Sequence, residues 1–250
     1  MNFESLIVNI LQNEQNLARW KGDILPAGFQ YHVFEKIMGK LEINPSEVYS
    51  LHASNDIPNL PRFTYKDGST KKGGSPKTDV VLKVEFADGK VTPYTFSCKT
   101  TTKKDITVFQ FPPKFCVEVL GIIEPDVEQL LNEYTKAGGP EKFSDENTEL
   151  LTKRLSAYAD KFNRWALHGS ELDGSTPEQR ADYIIIRYQK KDGDRIIVQT
   201  VDECIRDQIQ RGRGRFGTAY GWTVTSKTYR KNGTYEQFPA LRICAETDME

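Results

Sequence analysis

Residues 71–104 read KKGGSPKTDVVLKVEFADGKVTPYTFSCKTTTKK, and how this stretch pairs with itself decides the fold. A turn rich in glycine and lysine delivers one aspartate, Asp79, to the start of a strand. From Val80 to Phe86, apolar and polar residues alternate with the two-residue period of a half-buried strand. Ala87-Asp88-Gly89 has turn chemistry, with a glycine available for a positive φ. A second strand follows to Ser97-Cys98-Lys99, then a hydroxyl-rich basic run. If Asp88-Gly89 formed a two-residue turn, Asp79 would face Cys98, and Ser97 and Lys99 would point to the other side of the sheet. A three-residue turn with Gly89 in the left-handed region pairs Phe86 with Lys90 instead. Asp79 then sits opposite Ser97, with Lys99 one diagonal away on the same face. Only this register builds a site, and it is the register expected. An acid, a polar residue and a lysine on adjacent strands, flanked by phosphate-friendly loops, imply metal-dependent cleavage of a phosphodiester.

Asp79 is a hard carboxylate of the kind Mg²⁺ accepts while keeping most of its coordination sphere for water and phosphate oxygen. Lys99 is expected beside the scissile phosphate and the attacking water, where its charge stabilises developing negative charge. The hydroxyl of Ser97 is a poorer ligand, binding metal through water or as a weak neutral donor. Glu35, in an amphipathic segment near the N-terminus, is the candidate for a second metal-binding carboxylate, with a solvated helix face as its alternative. Lys71, Lys72, Ser75 and Lys77 before the first strand, and Lys103 and Lys104 after the second, are candidates for holding a DNA backbone. Arg211, Arg213 and Arg215 in RGRGRFG offer three guanidinium groups for phosphates or guanine edges, on what reads as a flexible loop. Thr223, Thr225, Ser226, Lys227 and Gln237 lie on two alternating stretches around Asn232-Gly233, a hairpin signal, and are candidates for reading a groove. The tryptophan and tyrosines of that hairpin read as packing groups.

Around this centre, Asn2 to Trp20 carries apolar residues at helical spacing, and Pro26-Ala27-Gly28 ends the run. Gln30 to Leu41 forms a second amphipathic helix, and Asn55 to Gly74 reads as a long surface loop. Asp105 to Phe111 is a strand or a helix start, and Phe115 to Ile123 fits either type. Pro125 to Tyr134 and Glu146 to Leu167 read as helices, the latter as one long amphipathic segment. ADYIIIRY, residues 181–188, has the near-continuous apolar character of a central strand, with a partner strand at 195–199 and a short helix over 201–209.

Lys+Arg number 34 against Asp+Glu 35, a formal net charge of −1, so a nucleic-acid face has to come from local segregation of charge. The four cysteines form no CxxC pair and suit free thiols in a reducing cytoplasm, and three scattered histidines argue against a zinc site. No run approaches the roughly 18 apolar residues of a membrane span. Nor do the first residues show the charged-then-apolar plan of a secretory signal. A soluble, intracellular protein is expected.

Gly73-Gly74-Ser75-Pro76-Lys77-Thr78-Asp79, then Ser97-x-Lys99 and a Ser/Thr-Lys-Lys run, resembles the MspI family of type II restriction endonucleases. The likeness continues through Arg164-Trp165, Tyr183 to Tyr188, Val201-Asp202 to Ile209, Phe216-Gly217-Thr218, Trp222-Thr223 and Gln237-Phe238, and so covers most of the chain from about Gln30. The resemblance implies the PD-(D/E)XK fold, an α/β architecture with a mixed central β-sheet flanked by helices. It implies cleavage of duplex DNA with Mg²⁺, with Asp79 as metal ligand and Lys99 as catalytic lysine. Ser97 stands where the family carries asparagine, which keeps a neutral polar group and shortens its reach. Thr107, Thr223 and Gln237 fall near the family's DNA-reading positions.

The expected protein is a single endonuclease domain over 1–250, with N-terminal helices and loop in 1–60, the catalytic hairpin in 71–111, and C-terminal strands and DNA-reading loops in 181–245. It would cut a short palindrome of CCGG type to leave 5′-phosphate ends, as a monomer or weak dimer, alongside a cognate DNA methyltransferase. A structure-selective repair nuclease and a catalytically weak, sequence-specific DNA-binding protein are the alternatives.

Overall fold

In the computed structural model the central hairpin closes through Ala87-Asp88-Gly89. Phe86 N–H donates to Lys90 O at 2.8 Å, Gly89 N–H donates to Phe86 O at 2.9 Å, and Gly89 takes φ +83°. Val80 pairs with Phe96 and Glu85 with Val91, which is the three-residue-turn register. The structure describes residues 2–24, 28–228 and 235–245.

In chain order it begins with helices α1 (Phe3–Leu11), α2 (Glu14–Trp20) and α3 (Phe29–Lys40), then strands β1 (Val48–Ser54), β2 (Phe63–Thr64), β3 (Thr70–Lys71), β4 (Val80–Phe86), β5 (Val91–Thr101) and β6 (Asp105–Gln110). Helices α4 (Pro113–Leu120), α5 (Val127–Ala137), α6 (Asp145–Ser156) and α7 (Ala159–Leu167) follow. Strands β7 (Tyr183–Lys190) and β8 (Gly193–Thr200), helix α8 (Val201–Gln210), and strands β9 (Gly221–Thr228) and β10 (Tyr235–Cys244) complete it. No helix among the described residues is long and apolar enough to cross a membrane.

These elements form two compact units interleaved along the chain. Residues 1–61, 73–102 and 171–201 make the first. Its mixed sheet has the order β1-β4-β5-β7-β8, antiparallel except where β5 runs parallel to β7. A parallel pair needs a long crossover, and the excursion from Lys103 to Ser170 supplies it. Helices α1 and α3 bury Ile7, Ile10, Phe34 and Ile37 against Val80, Leu82, Phe96 and Ile185 of the sheet.

Residues 62–72, 103–170 and 202–250 make the second unit. Here β6-β10-β9 form an antiparallel sheet, and β2 and β3 form a short ribbon. One face of the three-stranded sheet packs into an aromatic core, where Trp222 meets Phe111, Tyr134, Phe162 and Phe216 with ring centroids 4.9–5.9 Å apart. Edge-to-face geometry prevails among these rings, as their quadrupoles favour.

Several expectations are corrected. The first helical run is two helices, because Asn13 caps α2 by accepting from Gln15 N–H and Asn16 N–H. The long amphipathic segment is also two helices, α6 and α7, parted at Ala157-Tyr158. Strand β1 was not foreseen, and the surface loop contains the β2–β3 ribbon. Asp105 to Gln110 resolves as strand, and most of Phe115 to Ile123 as helix. The Asn232-Gly233 turn lies outside the described residues.

Candidate active site

Three donors converge on one oxygen of Asp79. Its Oδ2 accepts from Cys98 N–H at 2.7 Å, from Lys99 Nζ at 2.9 Å and from Ser97 Oγ at 3.2 Å. Asp79 N–H in turn donates to Phe96 O at 2.8 Å, so the last rung of the β4–β5 ladder fixes the residue that carries the acid. Lys99 also reaches back to its neighbour's carbonyl, Cys98 O, at 3.1 Å. Both side chains of the Asp79–Lys99 pair keep about a quarter of their surface exposed (27% and 23%), so the pair is anchored yet reachable. Asp79, Ser97 and Lys99, the residues expected from the sequence, are gathered here, and the Cys98 amide joins them, a contribution that no side-chain pattern can reveal.

The GGSPKTD loop is held from two sides. Leu60 N–H donates to Gly74 O at 2.9 Å and Lys77 N–H donates to Gln179 O at 3.2 Å. A Cβ on Gly73 would lie 1.6 Å from Leu60 O, so only glycine lets these two backbone segments meet. Gln179 is buried, and its Nε2 donates to Pro58 O at 3.0 Å and Asn59 O at 2.9 Å while its Oε1 accepts from Thr176 N–H at 2.8 Å. Gln179 thus ties the motif loop, through Lys77, to the Pro58-Asn59 segment, and no sequence signal marks it.

Lys77 sits at the same site. Burial pushes its ammonium well below the usual lysine range, the Lys99 charge adds to that, and Asp79 opposes it. Cys98, between the two functional positions, has its thiol pushed well up by burial and then by the Asp79 charge. Glu35 projects from the exposed side of α3, 3.9 Å from His32 Nδ1. Among the described residues, no group of three or more His, Cys, Asp and Glu side chains forms a ready metal cage. A carboxylate and a hydroxyl are nevertheless the hard oxygen donors that suit Mg²⁺, which dehydrates reluctantly and rarely takes an all-protein cage. The donor set fits such an ion.

The remaining basic candidates are placed as follows. Lys71 lies on β3 with its Nζ 3.6 Å from the centre of the Phe115 ring, a cation–π contact. Lys72, Ser75, Lys103, Lys104 and Thr107 are exposed. The Arg-Gly segment makes contacts at its end: Phe216 is buried against Tyr134, Phe143 and Trp222, and Arg215 N–H donates to Tyr220 O at 3.0 Å. Arg211 pairs with Asp207 at 2.9 Å, and Arg213 holds Asp105 through two bonds of 2.6 and 3.1 Å. Arg215 is exposed. Thr223 and Thr225 face one side of β9, and Ser226 with its cross-strand partner Gln237 faces the other. The Lys227 side chain lies outside the described residues.

A mixed sheet that brings an acid and a lysine together at a strand end defines a class, the restriction-endonuclease fold. A crystal structure of restriction endonuclease MspI in complex with its cognate DNA matches with a TM-score of 0.73 at 17% identity, covering 95% of this chain and 87% of that one. The family model described as restriction endonuclease MspI matches residues 1–234, and the chain belongs to that family. The type II restriction enzyme MspI of Moraxella sp is 21% identical over 238 residues, covering 92% of this chain and 85% of that enzyme. The type II restriction enzyme BsuFI of Bacillus subtilis is 27% identical over 237 residues, covering 90% of this chain but 55% of that longer enzyme.

Proposed function

We propose that this protein is a type II site-specific endonuclease that hydrolyses double-stranded DNA at a short palindrome, with CCGG as the first candidate, leaving 5′-phosphate ends. The observation that carries the reading is the convergence of Asp79, Ser97 and Lys99 at one strand end, in a chain of this family. Asp79, assisted by Ser97, would hold Mg²⁺, which when bound supplies Lewis-acid stabilisation of the negative charge that develops in phosphoryl transfer. Lys99 places its ammonium beside that charge and orients the attacking water. The Cys98 amide and Ser97 hydroxyl fix the carboxylate so that it need not reorganise during the reaction. Lys77, beside Asp79 and Lys99, would donate hydrogen bonds to a phosphate oxygen.

Lys72, Ser75, Lys103, Lys104 and Arg215 are assigned to the DNA backbone. Arg211 and Arg213 would exchange their aspartate partners for phosphate, so they bind DNA only by giving up existing ion pairs. A DNA methyltransferase of matching specificity would protect the host's own sites, and a monomer or weak dimer in the cytoplasm suits the buried free thiols.

The test is a Mg²⁺-dependent digest of unmethylated plasmid, with the ends sequenced and Asp79→Ala beside the wild type. Discrete fragments sharing one short palindrome, absent with the variant, are expected. Random degradation would favour a repair nuclease, and sequence-specific retention without cleavage would mean that Ser97 marks a weakened site.

A further inference from the structure

The pairing of β6 with β10 contains a bulge. Arg242 pairs with Thr107 and Leu241 with Phe109, so Val108 is an extra residue in β6. In an unbroken strand, residues three apart face opposite sides. The bulge turns Val108 and Phe109 together toward the aromatic core, where Phe109 lies 4.5 Å from the Trp165 ring, and it leaves Thr107 and Gln110 on one outer face. Gln110 pairs with Ala240, which pairs with Thr223, and one diagonal further on is Thr225. The small Ala240 side chain lets Gln110 reach across it, and Thr225 Oγ1 donates to Gln110 Oε1 at 3.0 Å.

That bond decides what Gln110 can present. It turns the Gln110 oxygen toward the Thr225 hydroxyl and leaves the amide nitrogen, with two N–H donors, on the side away from Thr225. Adenine shows a glutamine one acceptor and one donor in the major groove, whereas guanine shows two adjacent acceptors, N7 and O6. We propose that Gln110 is a specificity-determining residue that reads a guanine edge in duplex DNA, with Thr225 as its positioning residue. This rests on the endonuclease reading above and adds to it a base and a reader that the sequence did not mark.

The experiment measures binding of full-length protein, in Ca²⁺ to suppress cleavage, to duplexes carrying its cognate site and to random-sequence duplexes. If the wild type shows no sequence preference, the endonuclease reading itself fails. If it does, Gln110→Ala is expected to weaken cognate binding roughly tenfold or more, while leaving random-sequence binding and the salt slope unchanged. Replacing cognate guanines one at a time with 7-deazaguanine should reveal one position where the wild type loses affinity and Gln110→Ala loses nothing further. Thr225→Val should reproduce part of the loss, and Thr225→Ser, which keeps the hydroxyl, should restore it. Wild-type discrimination by Gln110→Ala, or an equal loss on cognate and random DNA, would overturn the assignment. Gln110 is exposed, so its truncation tests recognition rather than folding.

Discussion

Asp79 does two jobs with one carboxylate. It is the oxygen donor a metal would use, and its charge opposes the repulsion between two lysines, since Lys99 pushes Lys77 further below its usual range while Asp79 pulls it back. Removing the acid should therefore affect stability as well as activity. Asp79→Asn is expected to destabilise the fold by about 1–3 kcal/mol, because Lys99 loses its ionic partner and faces Lys77 uncompensated. Lys99→Met in the same background removes the repulsion, so the double variant should be more stable than the sum of the single changes by at least ~0.5 kcal/mol. Urea unfolding of the four proteins in the cycle measures this without any DNA. Strict additivity would show that Asp79 and Lys99 contribute to stability independently.

At the level of elements, the site is a product of register. Ser97 and Lys99 share a face with Asp79 because three residues, not two, close the β4–β5 turn. Deleting Val91, just past that turn, should keep the turn and shift every later residue of β5 by one place against β4, so that Asp79 faces Cys98 and cleavage is abolished. Loss of digestion with a lower urea midpoint is expected, because the slip also turns the buried residues of β5 to the other face, and retained cleavage would mean that a bulge had absorbed the deletion. This hairpin was legible in the sequence because alternation, a turn tripeptide and a lone acid agreed with one another. Strand β1 was not, since VYSLHAS interrupts its alternation with a register shift against β4 between Val48 and Ser50. The bulge at Val108 was invisible for a related reason: it exists only relative to β10, more than a hundred residues away. Asn13 and Tyr158 broke helical runs whose apolar spacing continued through them. The aspartates that pin Arg211 and Arg213 could not be read from the loop's own composition.

Across the whole molecule, the chain passes repeatedly between two units, so the segments 1–61, 73–102 and 171–201 have to come together before the first unit has a core. Each unit has its own core, and both cores hold ionisable groups in their neutral forms. All four cysteines are buried. Burial pushes the Cys98 and Cys116 thiols well up, Cys204 to about 12, and the Tyr134 and Tyr220 phenols upward as well. In the unfolded chain, thiols ionise near 9.0 and phenols near 10.0, whereas the folded protein keeps these protons to higher pH. Below about pH 9 both states hold the protons, and the stability these groups permit is fully present. Between about pH 9 and pH 12 the unfolded chain releases protons that the native state retains, so stability must fall as pH rises, by up to roughly 1.4 kcal/mol per pH unit for each such group. The urea midpoint should be flat from about pH 7 to pH 9 and then drop steeply. A thiol reagent at about pH 8 should leave the native protein almost unlabelled and modify all four cysteines once it is unfolded. Rapid labelling of the native protein at that pH would show that the thiols are reachable, and the alkaline loss of stability would then need another source.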